Sequence, residues 1–304
     1  MQGSRKINDG YVKVISASII WGSIGVFARW SGADPLFLSF SRSFIAVLAI
    51  LLFLFHNHES LPVPRGGELF LVSLSGIFRA AGLYFYFIAI TMTTLCYTLF
   101  IFYLAPVMVV LLGPIFIGEK LERSSLLALF VAVAGVGLVL FSMFDGEITV
   151  AEINGIIYAL LGAICFAFTI TIAKGLPGVS GLALTFFQML VATLCLIPFI
   201  PNHPIMADNA KIGLIMIVSI ILLGVLHTAY AYVIYHEGLQ VVKIQHAGIF
   251  LYLDPVVASI FGYMIFQENI GIQGFVGAFL ILLAGIVVTV GSTQNNSIPR
   301  RHRC

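Results

Sequence analysis

The chain alternates long apolar stretches with short polar connections. A bilayer core needs about 20 apolar residues per helix, and by that measure the sequence predicts ten membrane-spanning helices. They cover residues 12–30, 36–55, 68–90, 95–117, 124–144, 153–173, 180–200, 211–235, 244–266 and 272–291. Connections such as 31–35 and 91–94 are so short that neighbouring helices must run antiparallel. The predicted fold class is therefore all-α and integral to a membrane.

Composition supports this interpretation. Of the 304 residues 60% are hydrophobic and 9% are charged, whereas a soluble domain has roughly 25% charged residues. The net charge of +2 is small and scattered, so no nucleic-acid partner is expected. The four cysteines show no paired spacing, which indicates free thiols and no metal.

Lysine and arginine positions predict the orientation, because cytoplasmic loops are enriched in both. With the N-terminus inside, the outer loops hold Lys211 alone. The inner segments hold Arg5, Lys6, Lys13, Arg65, Lys120, Arg123, Lys174, Lys243, Arg300, Arg301 and Arg303. We therefore expect a multi-pass protein of the inner or plasma membrane with cytoplasmic tails at 1–8 and 292–304.

The chain contains an internal repeat. Residues 102–121 align with 251–270 without a gap, at an offset of 149 positions. Identical pairs include Tyr103 and Tyr252, Pro106 and Pro255, Val107 and Val256, Gly113 and Gly262, and Glu119 and Glu268. The repeat predicts two units, 9–144 and 153–291, with five spans each. Because five is odd, the second unit is inverted in the membrane, an arrangement typical of secondary transporters that bind substrate between the halves.

Three features resemble the EamA branch of the drug/metabolite transporter superfamily: "WGSIGVFAR" at 21–29, an arginine early in the second span, and "APVMVVLLGPIFIGEKL" at 105–121. The resemblance covers 9–291. Two positions depart from the family pattern: Gln267 replaces the usual glycine before Glu268, and Asp254 stands where a small or apolar residue is more typical. The resemblance implies a central cavity lined by the third, fourth, eighth and ninth spans, and a substrate among amino acids, amines, nucleotide conjugates and other metabolites.

Asp254 is the leading candidate for chemistry. An ionisable group deep in a span costs about 2.5–3.5 kcal/mol, and Asp254 lies near the middle of the ninth span. Pro255 lacks an N–H and clashes with the preceding turn, which predicts free carbonyls near position 251. Carbonyl and carboxylate together would suit a cation, an ammonium group or a proton. The alternative is a structural ion pair with Arg79 or Arg42.

The two arginines have different predicted roles. Arg79, in the middle of the third span, could hold a substrate carboxylate through two hydrogen bonds or pair with Asp254, and the sequence leaves both open. Arg42 matches the family's second-span arginine, and its equivalent in the second repeat is the uncharged Gln188. We expect Arg42 to be structural.

Aromatic residues are further candidates, because a tyrosine offers an apolar wall with a hydroxyl and can bind cations through its ring. The predicted substrate-binding set, besides Asp254 and Arg79, is Trp21, Tyr84, Tyr103, Tyr230 and Tyr252. Residues two apart on a helix point to different faces, so Tyr84 and Tyr86 cannot both line the cavity. Bundle packing or an interfacial belt is the alternative role for these tyrosines.

His246 lies eight residues before Asp254 on a similar helical face, and we expect these two residues to couple transport to protons. His236 and Glu237 are expected at a solvated helix end. Pro106, Pro255, Glu119 and Glu268 are predicted to be structural, the glutamates accepting backbone N–H groups at the start of the following helix. The small residues at 135–137 and 274–277 predict a packing face, between the halves or between protomers of a homodimer.

Enzyme signatures are absent from the sequence, including G-x-S-x-G, H-E-x-x-H and the Walker A lysine motif. We therefore expect no enzyme and no cofactor, but a gradient-driven exporter of a small polar metabolite, amino acids or related amphoteric molecules, working by alternating access. The alternatives are a flippase for lipid-linked cargo, an uptake carrier for a nucleoside-type metabolite such as S-adenosylmethionine, and a membrane enzyme.

Overall fold

The structure is a computed structural model, and it describes residues 2–92, 95–141, 150–202, 204–205, 213–267 and 272–296. Its first half contains helices α1 (Gln2–Gly22), α2 (Ile24–Ser31), α3 (Pro35–His56), α4 (Gly67–Met92), α5 (Leu95–Phe102), α6 (Ala105–Leu112) and α7 (Arg123–Phe141). Its second half contains α8 (Val150–Lys174), α9 (Gly181–Leu196), α10 (Leu214–Gly224), α11 (Ala231–Val241), α12 (Ile244–Phe250), α13 (Leu253–Phe266) and α14 (Ile272–Asn296). Two π-helical turns, Gly113–Ile117 and Val225–Tyr230, continue α6 and join α10 to α11.

Helix length and hydropathy agree with a membrane fold. Seven helical runs among the described residues are long and apolar enough to cross a bilayer. They are Lys6–Ser31, Pro35–His56, Gly67–Ile90, Ile153–Lys174, Gly181–Pro201, Leu214–Val241 and Ile244–Phe266. Shorter apolar helices, Ala105–Ile117, Arg123–Leu138 and Ile272–Val287, lie in the predicted fourth, fifth and tenth spans. The all-helical membrane fold is confirmed, and the count of ten spans stays a prediction.

Helix contacts follow the symmetry that the inverted repeat predicts. The third span packs on the sixth (α4 on α8), and the eighth packs on the first (α11 on α1, α10 on α2). Equivalent spans also meet each other, because α3 contacts α9, α6 contacts α12, and α7 contacts α14. Each repeat therefore buries its apolar helix faces against the other repeat, so the two form one bundle.

The fourth and ninth spans are broken at equivalent places. α5 ends before Tyr103 and α6 begins after Leu104, while α12 and α13 are separated at Leu251 and Tyr252. Pro106 and Pro255 stand in the first turns after the breaks, where a missing N–H is tolerated. Next to the breaks, α6 and α12 approach each other closely. A Cβ on Gly248 of α12 would lie only 3.2 Å from the carbonyl oxygen of Pro106 on α6. The prolines thus set both the interruptions and the helix starts that follow.

The eighth span is longer than predicted. The sequence predicts an end at residue 235, but α11 continues to Val241. His236 is consequently 2% exposed and its Nδ1 lies 2.9 Å from the hydroxyl of Thr185. The expectation that His236 marks a solvated helix end is therefore wrong, because the helix runs on past it against α9.

The predicted glycine face joins the two repeats within this chain. A Cβ on Gly135 of α7 would lie 2.7 Å from the carbonyl oxygen of Gly277 on α14, with Ile281 at 2.9 Å. Gly137, on the same helix, has nothing within 4 Å of its Cβ position. Backbone approach at Gly135 therefore sets the spacing of α7 and α14.

We expect Gly135→Ala to lower the thermal unfolding temperature in detergent, because the new methyl group meets backbone and cannot be relieved by rotating a side chain. Overpacking of this kind costs about 1–3 kcal/mol. Gly137→Ala is the matched control and should be neutral or slightly stabilising, since alanine is the better helix former. Equal melting temperatures for the two variants would contradict the close α7–α14 contact.

Candidate functional site

A cavity of about 200 Å³ lies between the two repeats, beside the two helix breaks. Its polar and aromatic lining comes from seven predicted spans of the two repeats. The lining residues include Trp21, Arg42, Arg79, Tyr86, Phe102, Tyr103, Phe166, Tyr232 and Asp254. Arg79 and Asp254, predicted from the sequence as substrate-binding residues, are thus brought together, and Arg42 joins them.

Arg79, on the face of α4 that lines the cavity, packs against aromatic rings of α11 and α8. It is only 7% exposed, and its guanidinium carbon lies 3.9 Å from the ring centroid of Tyr232 and 6.0 Å from that of Phe166. Its Nε has no hydrogen-bond partner. Stacking on Tyr232 leaves the guanidinium edge available to a bound molecule, because a ring face engages the plane of the cation and not its N–H groups.

Arg42 is fixed by the π-helical turn of the eighth span. Its Nε donates to the hydroxyl of Thr228 at 3.2 Å, and that hydroxyl donates to the carbonyl of Leu223 at 2.7 Å. The turn widens the helix at this point, which lets a threonine side chain bond five residues back. The Thr228 hydroxyl therefore accepts a hydrogen bond from Arg42. In the sequence, the only indication of this contact is the presence of an arginine within an apolar span.

Asp254 stands at the start of α13, in its first turn. The hydroxyl of Tyr103 and the guanidinium of Arg42 both lie close enough to its carboxylate to act on it electrostatically. Neither Arg42 nor Arg79 is within 4.0 Å of this carboxylate, so no direct ion pair joins the described charges of the cavity. The carbonyl of Leu251 accepts from the Asp254 N–H at 3.2 Å. The expectation of a free carbonyl at 251 is wrong, because the break tightens into a three-residue turn.

Trp21 and Tyr252 support the cavity in different ways. The Trp21 ring lies 4.6 Å from that of Tyr232, and its Nε1 donates to the carbonyl of His227 at 2.9 Å. Tyr252 is fully buried behind the lining, and its hydroxyl donates to the carbonyl of Tyr103 at 2.9 Å. Trp21 therefore faces the cavity, whereas Tyr252 holds a lining residue in place.

Two of the predicted tyrosines lie elsewhere. Tyr84 packs on Phe199, with ring centroids 4.5 Å apart. Tyr230 is 54% exposed and lines a separate groove of about 960 Å³ between α3, α9 and the eighth span. Tyr86 and Tyr232 occupy the cavity in their place, as the two-residue spacing allows. Which member of each pair faces inward depends on helix rotation, which periodicity in an almost uniformly apolar helix does not define.

A polar network joins the repeats at one end of the bundle, the end that holds Lys13, Lys120, Lys174 and Lys243, called here the basic end. Both oxygens of Glu119 accept from the N–H of Ile244, at 3.2 and 3.0 Å, and one lies 3.5 Å from Lys174 Nζ. Lys174 also donates to the carbonyls of Leu239 and Val242. Glu119 thus caps a helix of the other repeat and not the next helix along the chain. Glu268, its equivalent, lies outside the described residues.

His246 belongs to this network and not to the cavity lining. Its Nε2 lies 3.0 Å from Glu122 Oε2, and its Nδ1 lies 2.5 Å from the Tyr11 hydroxyl. Lys243 donates to the other oxygen of Glu122. His246 therefore joins the first span, the loop after the fourth span and the start of the ninth. The structure does not place it in contact with Asp254.

The cavity can bind a small polar molecule by charge and by aromatic contact. Guanidinium groups suit carboxylates, the Asp254 carboxylate suits an ammonium group, and Trp21, Tyr86 and Tyr232 offer rings that attract cations. Its lining is drawn from both repeats, so a relative movement of the repeats would change it.

Two relatives match nearly the whole chain. A Bacillus subtilis (strain 168) protein, the uncharacterized transporter YxxF, is 27% identical over 297 residues, which cover 97% of this chain and 93% of that protein. An uncharacterized transporter of Archaeoglobus fulgidus is 29% identical over 285 residues, covering 93% and 97% of the two chains.

A solved crystal structure of a protein shares the fold, with a TM-score of 0.82 at 16% identity, over 92% of this chain and 98% of the other. The model of the EamA-like transporter family matches twice, at residues 8–141 and 153–290. Those two matches coincide with the repeats that bound the cavity. The chain is a multi-pass membrane protein and belongs to the EamA-like transporter family.

Proposed function

We propose that this protein is a secondary transporter that moves a small amphoteric metabolite, in the direction of export, by alternating access. The observation that carries the proposal is the pair of opposite charges, Arg79 and Asp254, in one cavity between the two repeats. An amino acid has a carboxylate and an ammonium group, and these two side chains complement both.

The packing around the charges supports substrate binding over a purely structural role. A structural pair would be expected to close into direct contact, because an unpaired buried charge is costly. Arg79 instead lies over Tyr232, with no carboxylate of the described residues within 4.0 Å and no described partner for its Nε. Its guanidinium and the Asp254 carboxylate therefore do not neutralise each other, and each can bind one end of the same molecule.

Alternating access requires contacts that close one side of the cavity and can separate again. The polar network at the basic end can supply such contacts. Glu119 and Glu122 of the first repeat hold Ile244, Lys243 and His246 of the second. Their ion pairs and hydrogen bonds lie near the helix ends, where water can replace each partner when the repeats separate. By the excess of lysine and arginine this end is cytoplasmic, so we propose that the network closes the cavity toward the cytoplasm.

Counterflow in proteoliposomes tests the substrate site. We expect wild-type protein preloaded with amino acids to exchange a labelled member of the panel, and Asp254→Asn and Arg79→Gln each to reduce the rate about tenfold or more, since a charge-assisted hydrogen bond contributes about 1.5–3 kcal/mol. Arg29→Gln is the control, because Arg29 stacks on Phe266 at 4.6 Å and lies outside the cavity lining.

The panel also separates the alternatives. It includes amines, nucleotides and S-adenosylmethionine besides amino acids. Full exchange in both cavity variants would make Asp254 and Arg79 structural and contradict the proposed site. Activity only with lipid-borne cargo would indicate a flippase, and S-adenosylmethionine exchange alone would indicate the uptake carrier.

Proton coupling through Asp254 and His246 is part of the proposal and has its own test. Protonation of His246 would turn its Nδ1 from an acceptor into a donor toward Tyr11 and add a positive charge beside Glu122, Lys243 and Lys174. We expect a proton gradient to drive accumulation by the wild type, and His246→Gln to abolish accumulation while counterflow continues. Rates that respond neither to pH nor to the gradient would rule the coupling out.

A further inference from the structure

The cavity carries more positive than negative charge. Arg42 and Arg79 contribute two guanidinium groups, which stay protonated in proteins, and Asp254 is the single carboxylate in the described lining. We infer that the substrate is an acidic amphoteric molecule, with two acidic groups and one amino group and thus a net charge of −1. This inference rests on the proposed function and narrows its substrate class.

The described neighbours of Arg79 do not supply the missing negative charge. Its contacts are the rings of Tyr232 and Phe166. His236, which lies close enough to act on it electrostatically, is bonded to the Thr185 hydroxyl. Only 7% of Arg79 is exposed. A negative charge that balances its guanidinium must therefore come from within the cavity.

Three described carboxylates outside the lining are engaged at the basic end. Glu237 pairs with Lys13 at 3.1 Å, and Glu119 and Glu122 are held by Lys174, Lys243 and His246. Among the residues that the structure describes, Asp254 is therefore the one carboxylate that shares the cavity with the two arginines, and one positive charge is left over when no substrate is bound.

Occlusion makes this surplus matter. While the cavity is open, water screens the extra charge, but alternating access must at some stage close the loaded cavity on both sides. A charge removed from water without a partner is strongly disfavoured. A neutral amino acid would leave one positive charge in the closed cavity, whereas a molecule of net charge −1 would leave none.

The geometry assigns a partner to each group of such a molecule. The Asp254 carboxylate accepts the ammonium group, and the guanidinium of Arg79, whose Nε has no hydrogen-bond partner, takes one acidic group. Arg42, whose Nε is committed to Thr228, takes the second acidic group through its terminal nitrogens. A cavity of about 200 Å³ has room for a molecule of amino-acid size and little more.

The decisive experiment compares solutes that differ by one charge and hardly at all in shape. Counterflow is measured with glutamate against glutamine, and with aspartate against asparagine, in wild-type proteoliposomes. We expect the acidic member of at least one pair to exchange with an apparent KM about tenfold lower, which corresponds to about 1.4 kcal/mol.

Variants of Arg79 test the cause. Arg79→Gln removes the surplus charge, so we expect the preference to shift toward the neutral member of the pair. Arg79→Lys keeps the charge and should keep the acidic preference, even if its rate falls through lost geometry. Arg29→Gln removes a positive charge outside the cavity and should leave the preference unchanged. Elution as a single species in detergent shows that each variant is folded.

The outcomes separate this inference from the proposed function. Exchange of neutral amino acids as efficient as that of acidic ones would overturn the inference and leave the transporter proposal standing. An Arg79→Gln variant that prefers acidic over neutral amino acids as strongly as wild type does would also overturn the inference and leave the transporter proposal standing. No exchange of any amphoteric solute by folded wild-type protein would overturn both.

Discussion

The architecture depends on satisfying backbone groups where two helices are interrupted inside an apolar bundle. A bilayer offers no water to an exposed N–H or carbonyl, so irregular backbone survives there only where protein surrounds it or a cavity solvates it. The breaks of the fourth and ninth spans lie on opposite sides of the repeat contact, and the Tyr252 hydroxyl crosses it to the Tyr103 carbonyl. The broken backbone of one repeat is thus stabilised by the equivalent tyrosine of the other, and the substrate cavity opens beside that contact.

The charges are distributed according to what each part of the bundle must do. At the basic end, acids and bases lie within ion-pair distance and several accept or donate to backbone groups as well. In the cavity, the described charges form no direct ion pair with one another, and Arg79 stacks on the ring of Tyr232. The ion pairs at the basic end close the interface between the repeats. The charged groups of the cavity lie near each other without forming ion pairs, so each of them can bind a solute.

Sequence reasoning succeeded where a property repeats along the chain. The apolar spans, the two halves and the prolines at the breaks are all visible as periodic or duplicated patterns, and the duplicated "YLxP" motif placed Asp254 correctly at a helix interruption. It failed where helix rotation decides. Tyr84 and Tyr230 were expected in the cavity, yet Tyr86 and Tyr232 lie there, because a helix that is apolar on every face carries no stripe to show which side is inward.

Glu119 and His246 were expected to act within their own segments, but their partners, Ile244 and Glu122, come from the other repeat.

The sequence by itself determined that this chain is a helical membrane protein built from two related halves, because transfer of apolar helices from water to lipid depends on composition and length alone. It also determined which residues are costly to bury, and therefore which deserve a functional explanation. Only the tertiary structure decided which of those residues meet. Arg42, Arg79 and Asp254 come from three spans of two repeats, and the repeats pack closely against each other at small residues such as Gly135 and Gly248. Close packing between distant segments is a property of the assembled bundle, and no local pattern encodes it.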